Sequence, residues 1–110
     1  MHIEEIFKRN HNKKGFKIEK ISEAVLKAMK SVKEGGEGDA EKISKQVYEI
    51  LLERKEKIPY YVPNVEEIQD LVEKTLMKSE FLEVAKAYIL YRNIQTKKRE
   101  RNIFEKRISL

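Results

Sequence analysis

Cysteine is absent from all 110 residues, which excludes a disulfide framework, a zinc ribbon and thiol catalysis together. Histidine is scarce: His2 sits at a terminus and His11 in a turn. No His-x-x-His pairing exists, so neither a metal-ligand pattern nor a catalytic pair is expected from them. The two glycine-rich phosphate-binding signatures are missing as well. Gly35-Gly36-Glu37-Gly38 has the glycines of such a loop but neither the preceding strand nor the lysine, and it reads as a linker. No apolar run approaches the roughly 20 residues that a membrane span needs. Met1-His2-Ile3-Glu4-Glu5 has neither the basic start nor the apolar core of a signal peptide. A soluble cytoplasmic protein is the expectation, and no internal repeat is visible.

What the chain does have is 40% hydrophobic and 39% charged residues. That is enough apolar material for one core in one domain, too little length for two, and a surface dense in charge. The formal net charge is +5, and it is concentrated at the two ends. Lys8, Arg9, Lys13, Lys14, Lys17 and Lys20 form one basic cluster; Lys97, Lys98, Arg99, Arg101, Lys106 and Arg107 form the other. Two basic ends suit a polyanion, either a nucleotide phosphate or a nucleic acid.

Patterning predicts a β-hairpin followed by about four helices. Ile3 to Arg9 reads as a first strand, Asn10-His11-Asn12 as a turn, and Phe16-Lys17-Ile18 as a second strand. A first helix starts near Glu19 with Ile21, Ala24, Val25, Ala28, Met29 and Val32 on one face. Asp39 is the expected cap of a second helix that buries Ile43, Val47, Ile50 and Leu51. Pro59 and Pro63 bracket a short extended loop. Asn64, with Glu67 three residues on, forms a capping box for a third helix whose inward stripe is Ile68, Leu71, Val72, Thr75 and Leu76. Ser79 is the expected cap of a fourth, with Phe81, Val84, Ala85, Tyr88, Ile89 and Arg92 on one face and a run through Lys98. Asn102 to Leu110 is expected to fray or dock elsewhere. The fold class is therefore mainly α: a small four-helix bundle capped by an N-terminal β-hairpin.

The basic hairpin is the strongest candidate for chemistry. Lys8 and Arg9 close the first strand, Lys17 lies on the second and Lys20 opens the first helix, so a hairpin can make them converge. A triphosphate carries roughly four negative charges and suits several Lys and Arg donors; helix N-termini add backbone N–H groups. On composition alone, an edge strand kept soluble by lysines is an equal reading.

Particular runs change that balance. Ile6-Phe7-Lys8-Arg9, Phe16-Lys17-Ile18-Glu19-Lys20-Ile21 and Ala24-Val25-Leu26-Lys27-Ala28 resemble the start of an ATP-cone, which opens with a hydrophobic-x-Lys-Arg strand and enters its first helix through Lys-Ile. Pro63-Asn64-Val65-Glu66-Glu67-Ile68-Gln69-Asp70-Leu71-Val72-Glu73 is close to the family's Pro-Thr-Val-Glu-Glu-Ile-Gln-Asp-Leu-Val-Glu, and Val84-Ala85-Lys86-Ala87-Tyr88-Ile89-Leu90-Tyr91-Arg92 matches as well. The resemblance covers residues 3 to 95. It implies domain bounds of 1–96 for the cone, with 97–110 as a basic tail or linker.

What the resemblance implies is a regulatory domain rather than an enzyme. An adenine nucleotide, ATP or dATP, would bind under the hairpin against the helices, with room for a magnesium ion on the triphosphate. By position, Lys8, Arg9 and Lys20 match phosphate-facing residues, with Lys17 beside them. Ile6 and Ile21 match positions beside the base; Gln69 matches a polar position that approaches the nucleotide, and Arg92 lies on the last helix. The implied partner is a ribonucleotide reductase catalytic domain, in cis or in trans, of the anaerobic or adenosylcobalamin-dependent kind by the Lys-Ala-Tyr-Ile-Leu-Tyr-Arg ending, controlled through oligomeric state. Self-association of this chain with nucleotide is expected on the same ground. A transcriptional repressor of reductase genes carries the same domain behind a zinc ribbon, and the missing cysteines make that a weak reading here. Three departures stand out: the usual Asp-Gly turn is Asn10-His11, the polar or acidic residue of the second strand is Lys14 or Lys17, and the Thr after proline is Asn64. They bear on base and sugar selectivity, and the added lysines carry charge for one nucleotide or two. A competing reading is a nucleic-acid-binding helical module that lays Lys97-Lys98-Arg99-Glu100-Arg101 on phosphates; a helical linker is preferred for that segment.

Overall fold

The computed structural model describes the backbone of residues 2–108 and the side chains of residues 2–101. Strands β1 (Glu5–Phe7) and β2 (Lys13–Gly15) pair antiparallel, with Ile6 opposite Lys14. Helices α1 (Glu19–Val32), α2 (Glu37–Lys57), α3 (Val65–Lys78) and α4 (Leu82–Ile108) follow. The expected class holds: mainly α, with four helices and an N-terminal hairpin.

The second strand lies three residues earlier than Phe16-Lys17-Ile18. Phe16 continues the pairing by one bond, its N–H donating to the Glu4 carbonyl at 2.8 Å, and packs against the core. The Ile18 carbonyl accepts from the Ser44 hydroxyl on α2 at 3.2 Å. Lys17 is thus on the connection to α1, exposed, and not on β2.

In α1, Ile21, Val25, Ala28 and Met29 are buried as the spacing predicts. The helix stops because Lys33 takes a left-handed conformation at φ 56°, its N–H bonding back to Lys30. Gly35 then takes φ 81°, and a Cβ there would stand 2.7 Å from Met29 Sδ, so this one position requires glycine. The linker is shorter than Gly35-Gly36-Glu37-Gly38: α2 begins at Glu37. Its cap is Gly36, without a side-chain hydrogen bond, not Asp39. Asp39 stands with Glu37 in the first turn, where the helix dipole favours carboxylates. Ile43, Val47 and Leu51 are buried and Ile50 is half-buried.

Half of the expected capping box forms on α3. The Asn64 side chain accepts from the Glu67 N–H at 2.8 Å. The Glu67 carboxylate does not return to the cap; it accepts from the Arg54 guanidinium of α2 and the Tyr61 hydroxyl. All five stripe residues of α3 are buried. Ser79 ends α3 instead of capping α4, because Glu80 takes φ 66° and the chain re-enters helix only at Leu82. Val84, Ala85 and Tyr88 are buried on α4, with Phe81, Ile89 and Arg92 half-buried. The segment expected to fray continues α4 to Ile108, so the helix spans about 40 Å at 1.5 Å per residue; Ser109 and Leu110 lie outside the described residues.

The helices close a ring: α1 packs on α2 and α4, and α3 packs on the same two. Ile3 and Ile6 of the hairpin join the single buried cluster, each contributing about 1.5–3 kcal/mol of burial. The Ile3 N–H donates to the Tyr48 hydroxyl at 2.9 Å. The free edge of β1 is bonded too: the Phe7 N–H reaches the Pro63 carbonyl at 2.9 Å, and Phe7 bridges Asn64 in parallel. Among the described residues no helix is long and apolar enough to cross a membrane.

Candidate functional site

The pairing of Phe7 with Pro63 and Asn64 determines where the chemistry sits. Lys8 and Arg9 follow Phe7 directly, so the bridge delivers them to the N-terminus of α3. The turn beyond is closed by two hydrogen bonds, Lys8 N–H to the Asn12 carbonyl at 2.8 Å and His11 N–H to the Lys8 carbonyl at 3.0 Å. His11 takes φ 68° there.

Arg9 stands on the walls of three cavities. The first, of about 360 Å³, lies between the hairpin and α3, and is also walled by Phe7, Lys8, His11 and Glu66. The second, of about 530 Å³, opens towards α4 and brings Lys8, Lys14, Thr96 and Arg99 to the same space. The third is about 180 Å³ and lies deeper, against Ala24, Gln69, Tyr88, Tyr91, Arg92 and Arg99.

Two polar atoms in this region are buried and have no hydrogen-bond partner among the described residues: Arg9 Nε, a donor, and Gln69 Oε1, an acceptor. Both residues line the third cavity. Buried groups left unpaired cost about 1–3 kcal/mol each, so an orphan donor and an orphan acceptor at one cavity fit a ligand with both acceptors and donors. An adenine nucleotide has phosphate oxygens and ring nitrogens that accept, and an amine and hydroxyls that donate. The cationic walls fit its phosphates. The residues present therefore suit such a group.

Arg92 is already occupied: its guanidinium bonds Asp70 at 2.8 Å and Glu73 at 2.7 Å. Burial pulls its pKa down, and the hydrogen bonds to these two carboxylates outweigh that and leave it raised. It links α4 to α3 beside the cavity. Tyr88 is pushed up to about 12, by burial first, with Arg92 lowering it and Glu73 and Asp70 raising it. Arg9 makes a looser ion pair with Glu66 at 3.5 Å.

Of the residues the sequence singles out, Lys8, Arg9, Gln69 and Arg92 come together around these cavities. Ile6 and Ile21 are sealed in the core, 4% and 5% exposed. Lys17 and Lys20 line none of the three cavities; the Lys20 amine lies 3.8 Å from Glu23 on its own helix. Thr96, Arg99, Tyr91 and Lys14 line these cavities too and are not among the candidate site residues drawn from the sequence. A signal for the first two existed: Arg92, Thr96 and Arg99 continue the three- and four-residue spacing of the α4 face. Among the described residues no three His, Asp or Glu side chains gather so as to hold a metal ion.

The ATP cone domain family matches residues 4–97. The chain is 43% identical over 95 residues to a vitamin B12-dependent ribonucleoside-diphosphate reductase of Thermoplasma acidophilum, covering 82% of this chain and 12% of that protein. It is 34% identical over 102 residues to a ribonucleoside-diphosphate reductase subunit alpha of Treponema pallidum, covering 86% of this chain and 11% of that one. The chain thus spans about one eighth of the length of these relatives. A Lys-Arg pair brought by a hairpin to the start of a Val-Glu-Glu-Ile-Gln helix, inside a match of this extent, shows that the chain belongs to the ATP-cone domain family of regulatory nucleotide-binding domains.

Proposed function

We infer that this chain binds ATP or dATP at the Arg9 cavities and that the bound nucleotide regulates a ribonucleotide reductase, joined in cis or met in trans. The observation that carries the reading is that Arg9 and Gln69, each with a buried polar atom lacking a hydrogen-bond partner among the described residues, line one cation-walled cavity. Lys8, Arg9 and Lys14 serve the phosphates, with magnesium arriving on the triphosphate. Gln69 serves a polar edge of the base or sugar, and Tyr91 offers an aromatic face on the same wall. The catalysis itself belongs to the rest of the longer protein or to a partner. The nucleotide acts on assembly by neutralising the basic face that like charge otherwise holds apart.

Calorimetry with ATP, dATP and GTP tests this directly. Saturable binding of the adenine nucleotides at micromolar strength, a preference over GTP and a raised melting temperature are expected. If neither adenine nucleotide moves the melt at millimolar concentration, the reading is wrong. Binding that falls steeply and log-linearly with salt and ignores the base would point to a polyanion surface instead. Light scattering with and without dATP tests assembly: the mass is expected to rise, and an unchanged monomer counts against control through oligomeric state.

A further inference from the structure

We propose that Arg99, on the extension of α4, is a phosphate ligand of the bound nucleotide, so that the end of this helix senses occupancy. The proposal rests on the nucleotide reading above. It concerns a residue beyond the family match, which ends at residue 97, in a segment that sequence alone reads as tail or linker.

Three observations place Arg99 in the site. It lines both the 530 Å³ and the 180 Å³ cavities, and so does Arg9, so the two guanidiniums border the same space from opposite elements. Its position on the helix is fixed nearby: Arg92, two turns earlier on the same face, is held to Asp70 and Glu73 on α3. Four cations, Lys8, Arg9, Lys14 and Arg99, line the larger cavity with one carboxylate, Glu100, on the same wall, and a second carboxylate, Glu66, pairs with Arg9. Among the described residues Arg92 and Arg9 have carboxylate partners, and the ion pairs do not include Arg99. Converging like charges repel each other until an anion enters. A triphosphate supplies that anion, and a planar guanidinium can grip two of its oxygens.

The physical consequence is a linkage. A phosphate bound by the hairpin's Lys8 and Arg9 and by Arg99 ties the extension of α4 to the hairpin. Emptying the site releases that tie. Occupancy is thereby written into the order of the helix end, an element remote from the base.

The experiment compares wild type, Arg99→Ala, Arg99→Lys and the neighbouring control Lys98→Ala on the full chain, with ATP and AMP as ligands. Arg99→Ala is expected to weaken ATP binding about tenfold, the worth of one charge-assisted hydrogen bond. It should narrow the ATP-over-AMP preference, Arg99→Lys should recover part of the loss, and Lys98→Ala should bind as wild type. ATP should also slow amide exchange in residues 97–101 of wild type and not of Arg99→Ala. Unchanged ATP affinity in Arg99→Ala, or an equal loss in Lys98→Ala, overturns the proposal while leaving the nucleotide reading intact. A wild type that binds neither nucleotide overturns both.

Discussion

His11 shows how one residue can carry a local cost for a site. It takes φ 68° at the hairpin tip, a conformation that costs a side chain about 1 kcal/mol and glycine nothing. The family pattern has Asp-Gly where this chain has Asn10-His11, so the structure explains the usual glycine. His11→Gly should relieve that strain and return about half of it as unfolded-state entropy. A gain of about 0.5 kcal/mol, or a melting temperature higher by about 2–4 °C, is expected in calorimetry; a lower melting temperature would mean that the imidazole holds the turn. Arg9 is the complementary case, because three cavities meet on it. Arg9→Ala should weaken ATP binding by about 10- to 100-fold. Lys20→Ala should weaken it less, since that amine lies near Glu23 and lines none of these cavities. Titration calorimetry on the two variants decides, and an equal loss would bring the start of α1 into the site as the resemblance implies.

At the scale of elements, the N-terminus of α3 is the joint of the molecule. Asn64 caps the helix, Phe7 of β1 bridges to Asn64, and Glu67 collects Arg54 from α2 and Tyr61 from the intervening loop. Asn64→Ala removes the side-chain acceptor and keeps the backbone bridge. It should cost about 1 kcal/mol in urea unfolding. The fold should persist, and because the capped turn also walls the first cavity, nucleotide affinity should drop with it. A loss of stability with affinity untouched would show that the cap and the site are independent. The helix interiors behaved as their periodicity predicts, because burial of a stripe is a repeated signal over many residues. Their ends did not. Asp39 and Ser79 are good capping residues in places where the chain starts its helix elsewhere, under the left-handed turns at Lys33 and Glu80.

For the whole molecule, the phenols of buried Tyr88 and half-buried Tyr61 contribute to behaviour at alkaline pH. Tyr61 and Tyr88 are both pushed up to about 12, in each case by burial first; the bond to Glu67 adds to it for Tyr61. Their folded pKa values lie above the unfolded value of about 10. The stability they contribute is fully present below pH 10 and is lost as the pH rises towards 12. The melting temperature should therefore fall across that window. Tyr88→Phe should flatten the fall and remove one late step from a phenolate absorbance titration. A titration in which every tyrosine ionises together near pH 10 would contradict the shielding of both phenols.

Sequence by itself determined the class of the fold, the inward faces of α1, α3 and α4, the position of Asn64 as a cap, and the family. Each rests on local information: periodicity, a cap next to the helix it starts, or a run of adjacent residues. The matching runs also contain Lys8, Arg9, Gln69 and Arg92, which the structure brings around shared cavities. Only the tertiary structure decided which charges meet. Lys17 falls past the end of β2, on the connection to α1, and Arg92 was taken by two carboxylates of another helix. Arg99 shares two cavities with Arg9 because α4 continues past Lys98, where the helix was expected to end. These outcomes depend on residues separated by tens of positions in the chain, and on distances that no local pattern encodes.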